Sequence, residues 1–296
     1  MTDSVIASAR QALGPVGVCL PVSFTSTPPA DLLRQAARRL EDAGYGAVWT
    51  NEVIGKDALV QLGVLLPATD RMTFGTCIAN IWARPAQTMH AAAAQLAQAY
   101  PGRIALGLGV GYPEQAAGVG REFGSPLATM RDYLEAMDSP TWPPAPDAPY
   151  PRIVAANGPK MLALAGDKAN GAFPGGMPPE FTARAREALG PDKLLVVGLS
   201  VARDIEAARE AVSARLGLPS YASRLAKLGY PAGDIDDVSD RLVNALVAHG
   251  DPEDIAAKVG DHLAAGADHV ALLPSIDGEF AAGIGQFEEL ASTLIG

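Results

Sequence analysis

The run AVWTNE ends an apolar, strand-like stretch in two polar residues, Asn51 and Glu52, and Tyr112 follows a second such stretch, IALGLGVG. A carboxyl and a phenol can both carry a proton, and both stand where a strand gives way to a loop. No other combination makes a self-sufficient reaction centre. The four histidines, His90, His249, His262 and His269, have no partner at ligand spacing, and the two cysteines, Cys19 and Cys77, give neither a metal pattern nor a disulfide framework. No Ser-His-Asp grouping, paired acids or zinc signature is readable. Such a set is suited to holding a cofactor that brings the difficult chemistry with it.

The second strand adds a site of unusual shape. Ile104, Leu106, Leu108 and Val110 alternate with Ala105, Gly107, Gly109 and Gly111, so one face is bulky and the other nearly bare. The bare face predicts room for a flat ring, or the close approach of a neighbouring strand. A dinucleotide fingerprint fails here, because its third glycine would fall on Tyr112 and its glycines lie inside the strand.

These residues need a scaffold. The chain has 296 residues, 48% of them hydrophobic, enough for a sizeable core. Eight strand-like runs are each followed by helix: PVGVCLP, AVWTNE, the run after Met72, IALGLGVG, RIVAANG, GAFPGGM, KLLVVGLSVA and HVALLPS. Alternation predicts a parallel sheet, and eight units predict a closed (β/α)₈ TIM barrel with its chemistry at the strand C-terminal ends. A doubly wound open sheet is the alternative. The expectation is one domain, with a helical insertion over 204–250 between the seventh and eighth strands, covering the mouth or forming a dimer interface. The proline-rich run over 138–151 reads as a stiff surface connection.

A barrel would gather at its mouth Phe24, Thr25, Asn51, Glu52, residues 77–82, Tyr112, Glu114, residues 157–160, Gly175, Gly176 and Ser275. Each has a plainer reading. Glu52 could pair with Lys56 or cap the next helix, Tyr112 could be a packed loop aromatic, and Arg84 could contact a helix end. Asn157, Gly158 and Lys160 surround a helix start at Pro159, where backbone N–H groups and the helix dipole favour an anion. A net charge of −10 argues against nucleic acid as a default partner. With no apolar run of membrane-spanning length and an acidic residue, Asp3, near the start, a cytoplasmic protein acting on a small molecule is expected.

Across almost its whole length the chain resembles the luciferase-like monooxygenase superfamily, closest to its F420-dependent branch in actinobacteria. The resemblance rests on AVWTNEVIGKDALVQLGVLLPATDRMTFGTCIANIWARP, PGRIALGLGVG, RIVAANGPKMLALAGDKANGAF and DRLVNALVAHGDPEDIAAKVGDHLAAGADHV. It implies a barrel binding the deazaflavin coenzyme F420, or FMN in some relatives. It further implies a cis peptide bond at Cys77-Ile78 in a bulge that backs the ring, with Asn80 on the same loop. Coenzyme phosphate would lie near 157–160, and Asn51 and Glu52 would face the ring. Relatives carry a histidine near the position of Tyr112, polar residues near Phe173 and Phe181, and a longer segment than 139–151. The readings that follow are an F420-dependent oxidoreductase moving a hydride, an FMN-dependent monooxygenase, or a non-catalytic cofactor-binding paralogue.

Overall fold

The computed structural model describes residues 2–23, 26–53, 55–218, 220–274 and 279–295. Phe24, Thr25 and Ser275, expected at the mouth, lie outside the described residues. The strands are β1 (Val16–Cys19), β2 (Ala47–Thr50), β3 (Thr73–Thr76), β4 (Ala79–Asn80), β5 (Ile104–Gly109), β6 (Arg152–Val154), β7 (Gly171–Ala172), β8 (Leu194–Val201), β9 (Val247–Ala248) and β10 (His269–Leu273). β1, β2, β3, β5, β6, β7, β8 and β10 are parallel neighbours in that order, and β10 returns to β1. The expected (β/α)₈ barrel is therefore closed. The short strands β4 and β9, which the sequence patterns do not announce, extend β5 and β8 beyond the ring.

Two cores hold this arrangement. Outside the sheet, helix Ala30–Asp42 buries Leu33, Ala36, Ala37 and Leu40, the helical-period positions, in one cluster with Val16, Val18 and Val48. Inside the barrel lie Trp49, Phe173, Leu194, Val196 and Ala271. Helix Thr2–Leu13 closes the N-terminal end by adding Ile6, Ala9 and Leu13 to that inner cluster. Its narrow apolar stripe has meaning only once the barrel opening exists, so it is not legible as an element beforehand. Glycine is required at Gly75, where a Cβ would lie 2.3 Å from the Trp49 ring, and at Gly17, where it would lie 2.8 Å from the His269 ring.

His269 is fully buried, accepting a hydrogen bond from Trp49 Nε1 at 2.9 Å and donating through Nδ1 to the Gly14 carbonyl at 2.8 Å. His262, equally buried, meets the Thr182 hydroxyl through Nδ1 at 2.9 Å, and its Nε2 has no hydrogen-bond partner among the described residues. Burial pushes both pKa values down to about 4. Below pH 6.5 the unfolded chain binds protons that the folded chain refuses, so stability falls as pH drops from about 6.5 to about 4. Each histidine is expected to contribute about 3 kcal/mol to that loss over the whole window. Urea denaturation at stepped pH should show this slope, and His262→Asn should remove one proton's share of it. An unchanged slope in that variant would rule out a buried neutral His262.

From the C-terminal end of β8 the chain enters helices Ile205–Leu216, Tyr221–Leu228, Ala232–Asp236 and Asp240–Leu246, then β9. This is the helical excursion expected over 204–250, ending in a two-residue strand beside Ser200 and Val201. It stands at the mouth end of the barrel: Tyr221 donates its hydroxyl to the Gly176 carbonyl in the loop after β7. On the connection over 138–151, Trp142 is 97% exposed, and Tyr150 anchors the run through a 2.6 Å hydrogen bond to His90.

Candidate active site

At the mouth, β3 and β5 are in register at Gly75 and Ala105, and β4 resumes at Ala79 opposite Leu108. Four steps along one strand match three along the other, which defines a one-residue bulge. The Cys77–Ile78 peptide bond within it is cis. Thr76 bridges the interrupted ladder, donating from Oγ1 to the Gly107 carbonyl at 2.7 Å and accepting the Gly107 N–H at 2.9 Å. A Cβ on Gly107 would lie 2.0 Å from the Thr76 carbonyl oxygen, and one on Gly109 would lie 2.3 Å from Ile78 Cδ1. The bare face of β5 is thus not a vacancy for a ring. It is filled by the bulge, which sets Cys77 and Ile78 against the inner core at the mouth.

Glu52 is the anchor of this bulge. Its Oε1 accepts the Ala58 N–H at 3.0 Å, and its Oε2 accepts the Asn80 N–H at 2.7 Å. Arg84 donates to both oxygens, through Nη2 to Oε1 and through Nη1 to Oε2 at 3.3 Å. A carboxylate has about four acceptor sites, and here four protein donors occupy them. Arg84 also reaches Asp57 at 2.8 Å. Burial opposes the Arg84 charge, but Glu52 and Asp57 outweigh it and raise the guanidinium pKa. Both side chains are almost buried, 3% exposed for Glu52 and 10% for Arg84. Glu52 therefore caps a helix, as one plain reading had it, but its ion pair is with Arg84 and not Lys56. The four acceptor sites of Glu52 are thus taken, and both terminal nitrogens of Arg84 are engaged with carboxylates. Asn80 is tied in through its N–H on Glu52 and its Oδ1, which accepts the Trp82 N–H at 3.0 Å.

The remaining expected residues stand around the same rim. Asn51 accepts a 2.9 Å hydrogen bond from Lys56 Nζ. Burial lowers the Lys56 pKa, while Cys19, Cys77 and Glu52 oppose that shift. Tyr112 caps helix Pro113–Ala117 and is 47% exposed, so its phenol reaches solvent. Asn157 spends both ends of its amide on Gly175, donating to its carbonyl at 2.9 Å and accepting its N–H at 3.0 Å. That side chain clamps two loops and is not aimed at an anion. Gly158 precedes helix Pro159–Lys168, and Lys160 on its first turn is exposed. A Cβ built on Gly158 or Gly175 would meet nothing within 4 Å, which marks open space beside these loops. Phe173 and Phe181 both pack in the core: Phe173 meets Trp49 edge-on at 5.3 Å, and Phe181 sits on helix Pro179–Leu189.

Two groups were not singled out by sequence reasoning. In the sequence Lys56 reads only as a partner for Glu52. Arg215, on helix Ile205–Leu216, donates to Ser200 Oγ at 2.5 Å and lies over Gly176, whose φ of +64° no side chain would favour. Its Nη1 would sit 2.2 Å from a Cβ there; that nitrogen is buried with no acceptor among the described residues, and the guanidinium stands close to the Tyr221 hydroxyl. No local pattern marks an arginine on an insertion helix as a mouth residue. An orphaned guanidinium nitrogen next to the open backbone of Gly175 suits an anionic group. Among the described residues no cluster of three His, Cys, Asp or Glu could hold a metal, and no helix is long and apolar enough to cross a membrane.

The sequence profile of the luciferase-like monooxygenases matches residues 15–269. The chain belongs to that family. Among curated relatives, a Mycobacterium tuberculosis protein assigned as a coenzyme F420-dependent oxidoreductase is 28% identical over 187 residues, 52% of this chain and 54% of the relative. The 5,10-methylenetetrahydromethanopterin reductase of Methanolobus tindarius is 27% identical over 168 residues, 51% and 52% of the two chains. The chain spans about half the length of the curated relatives it matches. Among solved structures, an F420-dependent secondary alcohol dehydrogenase holding an F420–acetone adduct superposes with a TM-score of 0.72 at 20% identity, covering 95% of this chain and 99% of that one. The F420-dependent tetrahydromethanopterin reductase of Methanopyrus kandleri gives 0.68 at 16% identity, over 95% and 100%. At these identities the likeness is one of fold.

Proposed function

We propose that this family member is an F420-dependent oxidoreductase of the actinobacterial type, moving a hydride between the deazaflavin and a small organic substrate. The observation that carries the reading is the mouth itself: a strand bulge at Cys77 and Ile78 on one side and, on the other, a buried arginine nitrogen beside open glycine backbone. F420-associated relatives support it over FMN. When bound, the coenzyme would supply the hydride chemistry. Cys77 and Ile78 would back its ring, with Gly107 and Gly109 acting through the bulge they admit. Gly158, Lys160, Gly175, Gly176 and Arg215 would hold its anionic groups, with Asn157 fixing the Gly175 loop.

Proton handling then falls to the mouth groups that retain freedom. Tyr112 has an exposed phenol, and Lys56 with Asn51 offers an ammonium beside the bulge. Glu52 and Arg84 become positioning residues that fix the bulge to β2. Adding F420 and FMN separately to the purified protein, and following cofactor fluorescence and melting temperature, tests the reading. Binding of F420 in preference to FMN is expected, and the reverse preference would replace the proposal with the monooxygenase reading. Arg215→Met should weaken F420 binding by about tenfold or more, the worth of one charge-assisted hydrogen bond, with little change in the melting temperature of the free protein. Unchanged affinity would remove Arg215 from the site.

A further inference from the structure

We propose that Cys19 and Cys77 form a reversible dithiol–disulfide site at the barrel mouth, oxidised by peroxide. Cys19 ends β1 and Cys77 lies in the bulge after β3, so a whole strand, β2, stands between their chains. Their sulfurs are nevertheless 3.1 Å apart. The bulge produces this proximity by carrying Cys77 inward across the end of β2, where its N–H donates to the Thr50 carbonyl at 2.8 Å. A disulfide bond is about 2.05 Å long, so the sulfurs need to close by only about 1 Å. These are the chain's two cysteines, so neither has another intramolecular partner. No third His, Cys, Asp or Glu joins them among the described residues, which leaves a pair suited to oxidation and not to a metal.

Access and charge divide the roles. Cys77 is partly exposed and Cys19 is buried, so Cys77 meets the oxidant and Cys19 resolves it. The contact with Cys19 and burial push the Cys77 thiol up, and the nearby Lys56 ammonium opposes them by favouring the thiolate. The Cys77 sulfur attacks a peroxide oxygen; the O–O bond breaks, and the sulfur becomes a sulfenic acid as the departing hydroxide takes a proton to become water. The Cys19 sulfur then attacks the sulfenic sulfur, forming S–S and breaking S–O, and the second hydroxide leaves with the Cys19 proton as water. Two thiols lose two electrons and one peroxide becomes two waters. The new bond would tie the bulge to the end of β1. It rests on the thiol geometry and stands whether or not F420 is the cofactor.

The test is mass spectrometry of the folded full chain treated with hydrogen peroxide, intact and after digestion without reductant. The expected product is a monomer lighter by two hydrogens, with the Cys19 and Cys77 peptides linked and both thiols restored by dithiothreitol. Cys19→Ser should instead accumulate added oxygen at Cys77. Thiols that stay titratable under doses that oxidise free cysteine, oxygen added at Cys77 of the unaltered chain without a link, or a link between two chains would each overturn the proposal. The unaltered chain decides the matter even if the variant folds poorly.

Discussion

Replacing Glu52 with alanine is expected to cost about 3–5 kcal/mol of folding stability, the usual penalty for stranding one partner of a buried ion pair. The cost is high because Arg84 would keep its charge in a nearly closed site with only the more exposed Asp57 to balance it. The N–H groups of Ala58 and Asn80 would also lose their acceptor. Glu52→Ala and Arg84→Ala together should cost less than the sum of the two single changes, because the double variant leaves unpaired only the half-exposed Asp57 and no buried charge. Urea denaturation of the four proteins measures this. Simple additivity would mean that the pair is not coupled, and a loss below about 1 kcal/mol for Glu52→Ala would mark it as a weak surface-like pair. The same network has a functional corollary. If Glu52 positions the bulge, Glu52→Gln should weaken cofactor binding, whereas a pure proton carrier would leave that affinity intact.

Gly107→Ala is expected to be the most disruptive single-methyl addition at the mouth. The added Cβ would lie 2.0 Å from the backbone oxygen of Thr76, and a backbone atom cannot rotate away as a flexible side chain can. The bulge would have to move, breaking the paired Thr76–Gly107 hydrogen bonds. Overpacking typically costs 1–3 kcal/mol, and this site should reach the upper part of about that range. Gly158→Ala is the matched control, since its Cβ would meet nothing within 4 Å. Its φ of −158° is extended backbone that any residue adopts. A melting temperature for Gly107→Ala equal to that of Gly158→Ala would show that the bulge is free to shift.

The alternation in IALGLGVG identified a bare strand face and the correct side of β5, because side-chain direction in a strand follows from local geometry alone. What occupies that face was not legible. A vacancy for a ring and a neighbouring bulge both require missing side chains, and only the position of Thr76 and Ile78 distinguishes them. Glu52 illustrates the same limit. Its place at a strand end could be read, but its role depends on Arg84, 32 residues away, and on two N–H groups presented by separate elements. Asn157 was readable as part of a loop before a helix, yet its amide turned out to face Gly175 on the next loop.

The sequence by itself determined the eightfold alternation, the mouth at which the candidate residues collect and the family, because periodicity and turn chemistry are properties of neighbours along the chain. Tertiary structure decided which of those residues have any chemical capacity left. Barrel closure brings β1, β2 and the bulge after β3 within bonding distance at one rim, and there the donors and acceptors are allotted. The Glu52 carboxylate is filled by Arg84 and by the N–H groups of Ala58 and Asn80, while Lys56, Arg215 and the paired thiols of Cys19 and Cys77 stand at the mouth and Tyr112 is partly exposed. Hydrogen-bond capacity is finite at each atom, and its partners come from positions far apart in the chain, so the allocation exists only in the folded molecule.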